Sequence, residues 1–309
     1  MQSAVILGGG GFLASHIEHY YLRRGWRVIS IGRGVRLTET FPSGRIVRHA
    51  WQLPHPELAA LLAVERPTLC VNAAGQASVA ASMVEPLTDF SSSTLLNFQI
   101  LDSLRRQSPN TAYIYLSSAA VYGSPSSLPI AEDAVIAPIS PYGWHKRMSE
   151  IVLEEHAHLF GIRAASLRIF SAFGVGLRRQ VVWELIVRAL EHATDPLQLR
   201  GDPGDSRDFV HAADVASAVE LVANHGSLEG ESYNVATGIE MPISQLARSI
   251  LHILEQQREI VFDNIRAPGN PSRWHADTTR LTALGFRPRI RLEEGLREAI
   301  VDAKSRAGN

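Results

Sequence analysis

The first half of the chain alternates short β-rich runs with longer stretches of helical spacing. That alternation narrows the fold more than any other feature. The runs "AVIL", "RVISI", "RIVR", "TLCVNAA" and "AYIYLSS" are short, apolar and ended by small or polar residues, as buried strands are. Between them, residues 12–24, 57–65 and 87–106 place apolar side chains at helical spacing. Strand–helix–strand alternation predicts a parallel sheet covered on both faces, a doubly wound α/β (Rossmann) fold. Ligands of such sheets sit beyond the carboxyl ends of the strands. The first glycines, Asn72, Ser117 and Ser118 all fall at those ends.

The second half is less regular. "PISPYG" breaks the chain before a helix over about 142–160, and "RAASLRIF" reads as another strand. "GDPGDSRD" and "APGNPSRW" read as turn-rich loops. The mixture beyond Ser171 predicts a dinucleotide-binding domain over 1–170 and a smaller substrate lobe made mainly of 171–309. A later return of the chain to the first domain is expected near 210–238. At 309 residues the chain is long enough for that arrangement.

Thirty basic residues stand against 31 acidic ones. No global field would draw such a protein to nucleic acid or to an anionic membrane. No apolar stretch approaches a membrane span and no leader pattern opens the chain, so a cytoplasmic protein is expected. The single cysteine, Cys70, lies in an apolar run and reads as core packing. The 12 histidines show no ligand spacing with carboxylate or thiol support, so no metal site is expected.

"LGGGGFLASHI", Leu7 to Ile17, joins an expected strand to an expected helix. Gly8 and Gly11 fit the first two positions of a G-x-x-G-x-x-G loop. The first permits a tight turn, and the second lets backbone approach a pyrophosphate at the helix N-terminus. The third position asks only for smallness, and Ala14 supplies it. The alternative is an ordinary glycine-rich turn, but the strand–loop–helix context favours the phosphate cradle.

The next clue is an absence. A site for NAD offers an acidic residue some 20 positions on, for the ribose hydroxyls. Here no carboxylate occurs between Glu18 and Glu39; the strand end reads "SIGRG", with Gly32 where an acid would fit, then Arg33 and later Arg36. Losing the acid removes repulsion of a 2′-phosphate, and a guanidinium grips that group bidentately. NADP(H) is therefore favoured over NAD(H). The competing reading of Arg33 is a solvated arginine on an arginine-rich surface.

Tyr142 and Lys146 stand four apart at the start of a helix, on one face. A free phenol holds its proton to a pKa near 10, and a neighbouring ammonium favours the phenolate. Only Lys146 and Lys304 are lysine in the whole chain, among seven tyrosines. The pair therefore reads as general acid/base chemistry rather than as an ordinary helix-surface pair. His145 beside it reads as a helix-surface residue.

Taken in order, "LGGGGFLASHI", "NAAGQASV", "YLSSAAVYG", "SPYGWHK" and "LRIFSAFGVG" resemble the extended short-chain dehydrogenases/reductases. More narrowly the chain resembles the NAD-dependent epimerase/dehydratase family, most of whose members act on nucleotide sugars. The resemblance runs on through "RDFVHAADVA", "YNVATG", "HADTTRLTALGFRP" and "LEEGL". It implies Tyr142 as general acid/base, Lys146 as its partner, and Ser118 as hydrogen-bond donor to the reacting oxygen. It places Phe12, Leu13, Ala73, Ala74 and Gly75 along the cofactor, and Arg207 and Arg273 on the substrate's diphosphate. It also implies a homodimer built from the helices at 87–106 and 142–160. Leu95, Phe98, Leu101, Met148, Ile151 and Val152 are available there for core or interface.

Several positions depart from the family pattern. Ala119 and Ala120 replace the Asp-Glu that dehydratases use to expel water, which argues against dehydration. Ser171 and Phe173 replace an asparagine and a tyrosine near the substrate, and Ser93 replaces an asparagine on a helix. Trp51 stands where an acid usually neighbours the adenine, and could stack there instead. The expected activity is hydride transfer on a nucleotide-linked sugar, with a keto-sugar reductase slightly favoured over a 4-epimerase. A non-catalytic dinucleotide sensor is the third reading, disfavoured because both Tyr142 and Lys146 are present.

Overall fold

The computed structural model describes residues 2–34, 45–191, 196–265 and 269–307; Arg36 and Glu39 lie outside them. From the N-terminus, β1 (Ser3–Leu7), α1 (Phe12–Arg23), β2 (Arg27–Ile31), β3 (Ile46–His49), α2 (Leu58–Glu65) and β4 (Leu69–Asn72) follow the expected alternation. Next come α3 (Val79–Val84), α4 (Pro86–Phe90), a π-helical turn (Ser91–Leu95), α5 (Leu96–Gln107) and β5 (Ala112–Ser118). Then α6 (Pro141–Phe160), β6 (Ala164–Ile169), β7 (Ser171–Phe173), α7 (Gln180–Glu191), β8 (Leu197–Leu199) and β9 (Ser206–His211) lead into α8 (Ala212–His225). The chain ends with β10 (Glu229–Val235), β11 (Glu240–Pro242), α9 (Ile243–Ile253), β12 (Ile260–Phe262), α10 (Thr279–Ala283) and α11 (Leu292–Ala307).

Seven strands form one sheet in the order β10-β6-β5-β4-β1-β2-β3, every pair parallel. Strand periodicity sorts its side chains into two cores. Ala4 and Ile6 of β1 pack with Ile17 and Tyr21 of α1 and with Val215 and Val219 of α8. Val5 and Leu7, pointing the other way, pack with Leu58 and Leu62 of α2, Ile100 and Leu104 of α5 and Leu153 of α6. Cys70 is fully buried in this second core, which pushes its thiol pKa up. Burial on both faces explains why these strands read as near-continuous apolar runs.

A third core lies elsewhere. Val182, Leu185 and Ile186 of α7, Leu246 and Ile250 of α9 and Leu296 of α11 close over β8. β7 and β9 pair in parallel, and β11 adds to β9 in antiparallel, forming a three-stranded sheet.

Two local expectations change. "GDPGDSRD" is not loop throughout, because β9 begins at Ser206 inside it. Its Asp208 looks like a loop residue but is buried, and its carboxylate accepts the N–H groups of Thr237 and Gly238 and the Thr237 hydroxyl. The helical stretch expected from residue 87 begins at Pro86 and passes through the π turn before α5.

Candidate active site

Beyond the carboxyl ends of β1, β2, β4 and β5 lies a cleft of about 810 Å³, within the range of small-molecule sites. Its floor is the loop between β1 and α1. Gly8 has φ +96°, and a Cβ there would lie 2.6 Å from the Ala73 carbonyl oxygen. A Cβ on Gly9 would lie 2.2 Å from the Ser30 hydroxyl. That hydroxyl in turn donates to the buried carboxylate of Glu18 at 2.7 Å, whose pKa burial pushes up. Backbone alone fits here. Ala14 is buried in the core beneath the loop, so the missing third glycine leaves helix and sheet closely packed.

α1 starts at Phe12 with Gly11 as its N-cap, no side-chain cap and no acid in the first turn. An α-helix leaves its first N–H groups without intrahelical partners. Here that end opens into the cleft lined by Gly11, Phe12 and Leu13. The arrangement fits an anion such as a dinucleotide pyrophosphate. Opposite, Asn72 Oδ1 accepts the Ala74 N–H at 3.1 Å and holds Ala73, Ala74 and Gly75 along the cleft wall.

The far end of the cleft is built from Gly32, Arg33, Gly34, Trp51, Gln52 and Leu53. A Cβ on Gly32 would lie 2.2 Å from the Gly9 carbonyl oxygen, so the acid that the sequence pattern places at this position does not fit here. Arg33 is exposed beside it. Trp51 is already stacked, 4.2 Å from the His55 ring at an interplanar angle of 6° and 4.3 Å from His49.

Ser118, Tyr142 and Lys146 meet on the remaining wall. Ser118 ends β5, and its hydroxyl accepts the Ala120 N–H at 3.2 Å. α6 begins with the Ser140 cap and Pro141, a residue preorganised for a first helical turn. The Tyr142 N–H donates to the Ser82 hydroxyl at 3.0 Å. Lys146 is buried, with Nζ 5.7 Å from the Tyr142 ring centroid and 4.7 Å from that of Tyr115. It donates to the Leu116 carbonyl oxygen at 2.7 Å. Ala119 and Ala120, which follow Ser118, are both buried.

His145 is not the surface residue expected. Its Nδ1 lies 2.5 Å from Oδ2 of the fully buried Asp89, and its side chain keeps only 12% exposure. Phe90, the last residue of α4, meets the ring edge-on at 5.5 Å. Ser93 is buried in the π turn, with its hydroxyl toward that of Tyr115.

The remaining expected residues lie off the cleft wall. Ser171 is half-buried in β7, and its neighbours Phe170 and Ala172 line the cleft instead. The Arg207 guanidinium donates to the carbonyls of Ser206 and Ser272 and lies 5.4 Å above the Trp274 ring. Trp274 in turn meets Phe170 edge-on at 6.1 Å. Arg273 is engaged by Glu240 through two bonds of 2.7 and 2.8 Å. That pairing holds the Glu240 carboxyl near pKa 2.

Arg179 was missed by sequence reasoning. It follows a second arginine in "LRRQ", lies just before α7 and lines the cleft with its side chain exposed. Arg178 is instead tied to Asp302 and to the Leu177 carbonyl. In an arginine-rich chain nothing in "RR" separates the two. Among the described residues, Arg33, Lys146 and Arg179 are the charged residues that line the cleft, and no carboxylate does so.

The chain matches the NAD dependent epimerase/dehydratase family over residues 4–236. A putative UDP-glucose 4-epimerase of Methanocaldococcus jannaschii is 28% identical over 305 residues, 96% of each chain. A GDP-6-deoxy-D-mannose reductase of Pseudomonas aeruginosa is 27% identical, over 99% of this chain and 98% of that one. Among solved structures, UDP-glucose 4-epimerase of Thermus thermophilus in complex with NAD is similar at a TM-score of 0.86. It is 27% identical and covers 98% of this chain and 99% of its own.

Proposed function

The chain belongs to the NAD-dependent epimerase/dehydratase family, and from that premise we propose that it interconverts the 4-epimers of a nucleotide-linked sugar. Its membership makes it a nicotinamide-dependent enzyme of the extended short-chain dehydrogenase/reductase type. The observation that carries the proposal is the convergence of Ser118, Tyr142 and Lys146 opposite the uncapped start of α1. Buried alanines follow Ser118, so no side chain there supplies the acid and base of a dehydration.

Bound in this cleft, a nicotinamide dinucleotide supplies reversible hydride exchange at carbon. The protein's residues manage the proton. Tyr142 takes the proton of the sugar hydroxyl and later returns it. Ser118 donates to the same oxygen, and the Lys146 ammonium favours the phenolate. Gly8, Gly11, Phe12, Leu13, Ala73, Ala74 and Gly75 hold the dinucleotide, while Arg207 and Arg273, which lie off the cleft wall, serve the substrate's diphosphate only by leaving the Ser206 and Ser272 carbonyls and Glu240. The relatives named as 4-epimerases move the weight from reductase to epimerase.

One observation favours the second reading, an NADPH-dependent keto-sugar reductase. Gly32 and Arg33 replace the acid at the end of β2, and a reductase relative exists. Mass spectrometry of nucleotide released from the purified protein separates the two. Retained NAD is the expected result. An empty site that binds NADPH, with the preference lost in Arg33→Ala, would establish the reductase.

The assembly we propose is a homodimer through α5 and α6. Leu101 is fully buried, whereas Leu95, Phe98, Met148 and Ile151 are exposed, a patch that an isolated chain gains little from showing to water. Sedimentation velocity tests this: the wild type runs as a dimer and Phe98→Glu/Ile151→Glu as a monomer. A monomeric wild type would refute the assembly.

A further inference from the structure

α6 grips the end of β5 at three places along one face. A Cβ on Gly143 would lie 2.5 Å from the Ala120 carbonyl oxygen, so helix backbone rests directly on the turn after Ser118. Lys146 donates to the Leu116 carbonyl oxygen at 2.7 Å. One turn later, Glu150 Oε1 accepts the Ser117 hydroxyl at 2.6 Å. Leu116 and Ser117 are the two residues immediately before Ser118. Positions 143, 146 and 150 share a helix face.

The last grip is backed by a buried ion pair. Glu150 is fully buried and receives Nε and Nη2 of Arg168, both at 3.0 Å. Arg168 in turn donates Nη1 to the Tyr122 hydroxyl at 3.0 Å and to the Glu132 carbonyl oxygen at 2.8 Å. Desolvating two charges has a cost that an apolar pair avoids, so stability alone is a weak reason for this arrangement. What the pair provides and leucines cannot is a fixed acceptor for Ser117, itself fixed from β6.

We propose that Glu150, held by Arg168, is a positioning residue that sets Ser118 against Tyr142 and Lys146. The proposal rests on reading Ser118 and Tyr142 as the reacting pair. Misplacement of reacting groups by about 1 Å costs on the order of a hundredfold in rate. Loss of one of three grips is accordingly expected to cost less than that.

Ser117→Ala is the informative variant, because it cuts the grip and leaves the Glu150–Arg168 pair intact. Its kcat should fall about tenfold while KM and the Kd for NAD stay within about twofold of wild type. Ser117→Thr keeps the hydroxyl and should restore most of the rate. A second readout needs no substrate: a crystal structure of Ser117→Ala, compared with wild type at the Ser118 hydroxyl and the Tyr142 ring.

Ser117→Ala should displace the Ser118 hydroxyl from its wild-type position against the Tyr142 ring. If Ser117→Ala lowers Tm but leaves kcat and the Ser118 position at wild-type values, the pair is structural and the proposal is overturned. A wild type inactive on every nucleotide sugar would refute the functional reading instead, and the Ser118 position would still decide this one.

Discussion

Lys146 has three protons to donate, and among the described residues one hydrogen bond takes them up, to Leu116. Its Nζ also lies 4.7 Å from the Tyr115 ring centroid and 5.7 Å from that of Tyr142, on the cleft wall. His211 shows the opposite use of a titratable side chain. Its Nδ1 accepts the Ala213 N–H at 3.2 Å, so it caps α8 as the neutral ring. Burial, with a smaller contribution from His16, lowers its pKa to about 4. A folded pKa below the unfolded value of 6.5 stabilises the protein above pH 6.5, and that stability is lost as pH falls toward 4. The groups facing the ring are His16 and Glu298. Urea midpoints measured from pH 7 to 4 should fall in wild type and fall less steeply in His211→Asn, which retains a cap acceptor. Parallel slopes would show that His211 does not titrate with unfolding.

At the scale of elements, legibility followed burial and locality. β5 spans the residues read as "AYIYLSS", and α6 spans the helix expected after "PISPYG", because both announce themselves through local pattern. The Tyr142–Lys146 pairing was legible for the same reason: four residues on a helix bring side chains together by geometry alone. β9 was hidden because Asp208 earns its place through partners 29 and 30 residues away. His145 was misjudged because Asp89, 56 residues earlier, covers it. The Glu150–Arg168 pair was invisible for the same reason, whereas exposed Arg179 was missed because nothing in "RR" separates it from Arg178. Long-range burial turns a polar residue from surface to structure, and no local spacing reports it.

At the scale of the whole molecule, a nearly neutral chain of net charge −1 presents a cleft lined, among the described residues, by three cations and no carboxylate. Low-dielectric walls focus such a field toward polyanionic ligands, although the surface as a whole attracts none. The doubly wound sheet delivers the glycine loop and β5 to one end, and α6 brings Tyr142 and Lys146 across it. The claim that this geometry performs proton transfer through Tyr142 has a direct measurement: NMR-monitored interconversion of UDP-hexose 4-epimers by wild type and Tyr142→Phe, alongside their affinities for NAD. The expected result is epimerisation by the wild type without net cofactor turnover. Tyr142→Phe should lose at least about a hundredfold in rate with NAD affinity unchanged. Undiminished epimerisation by Tyr142→Phe would contradict it.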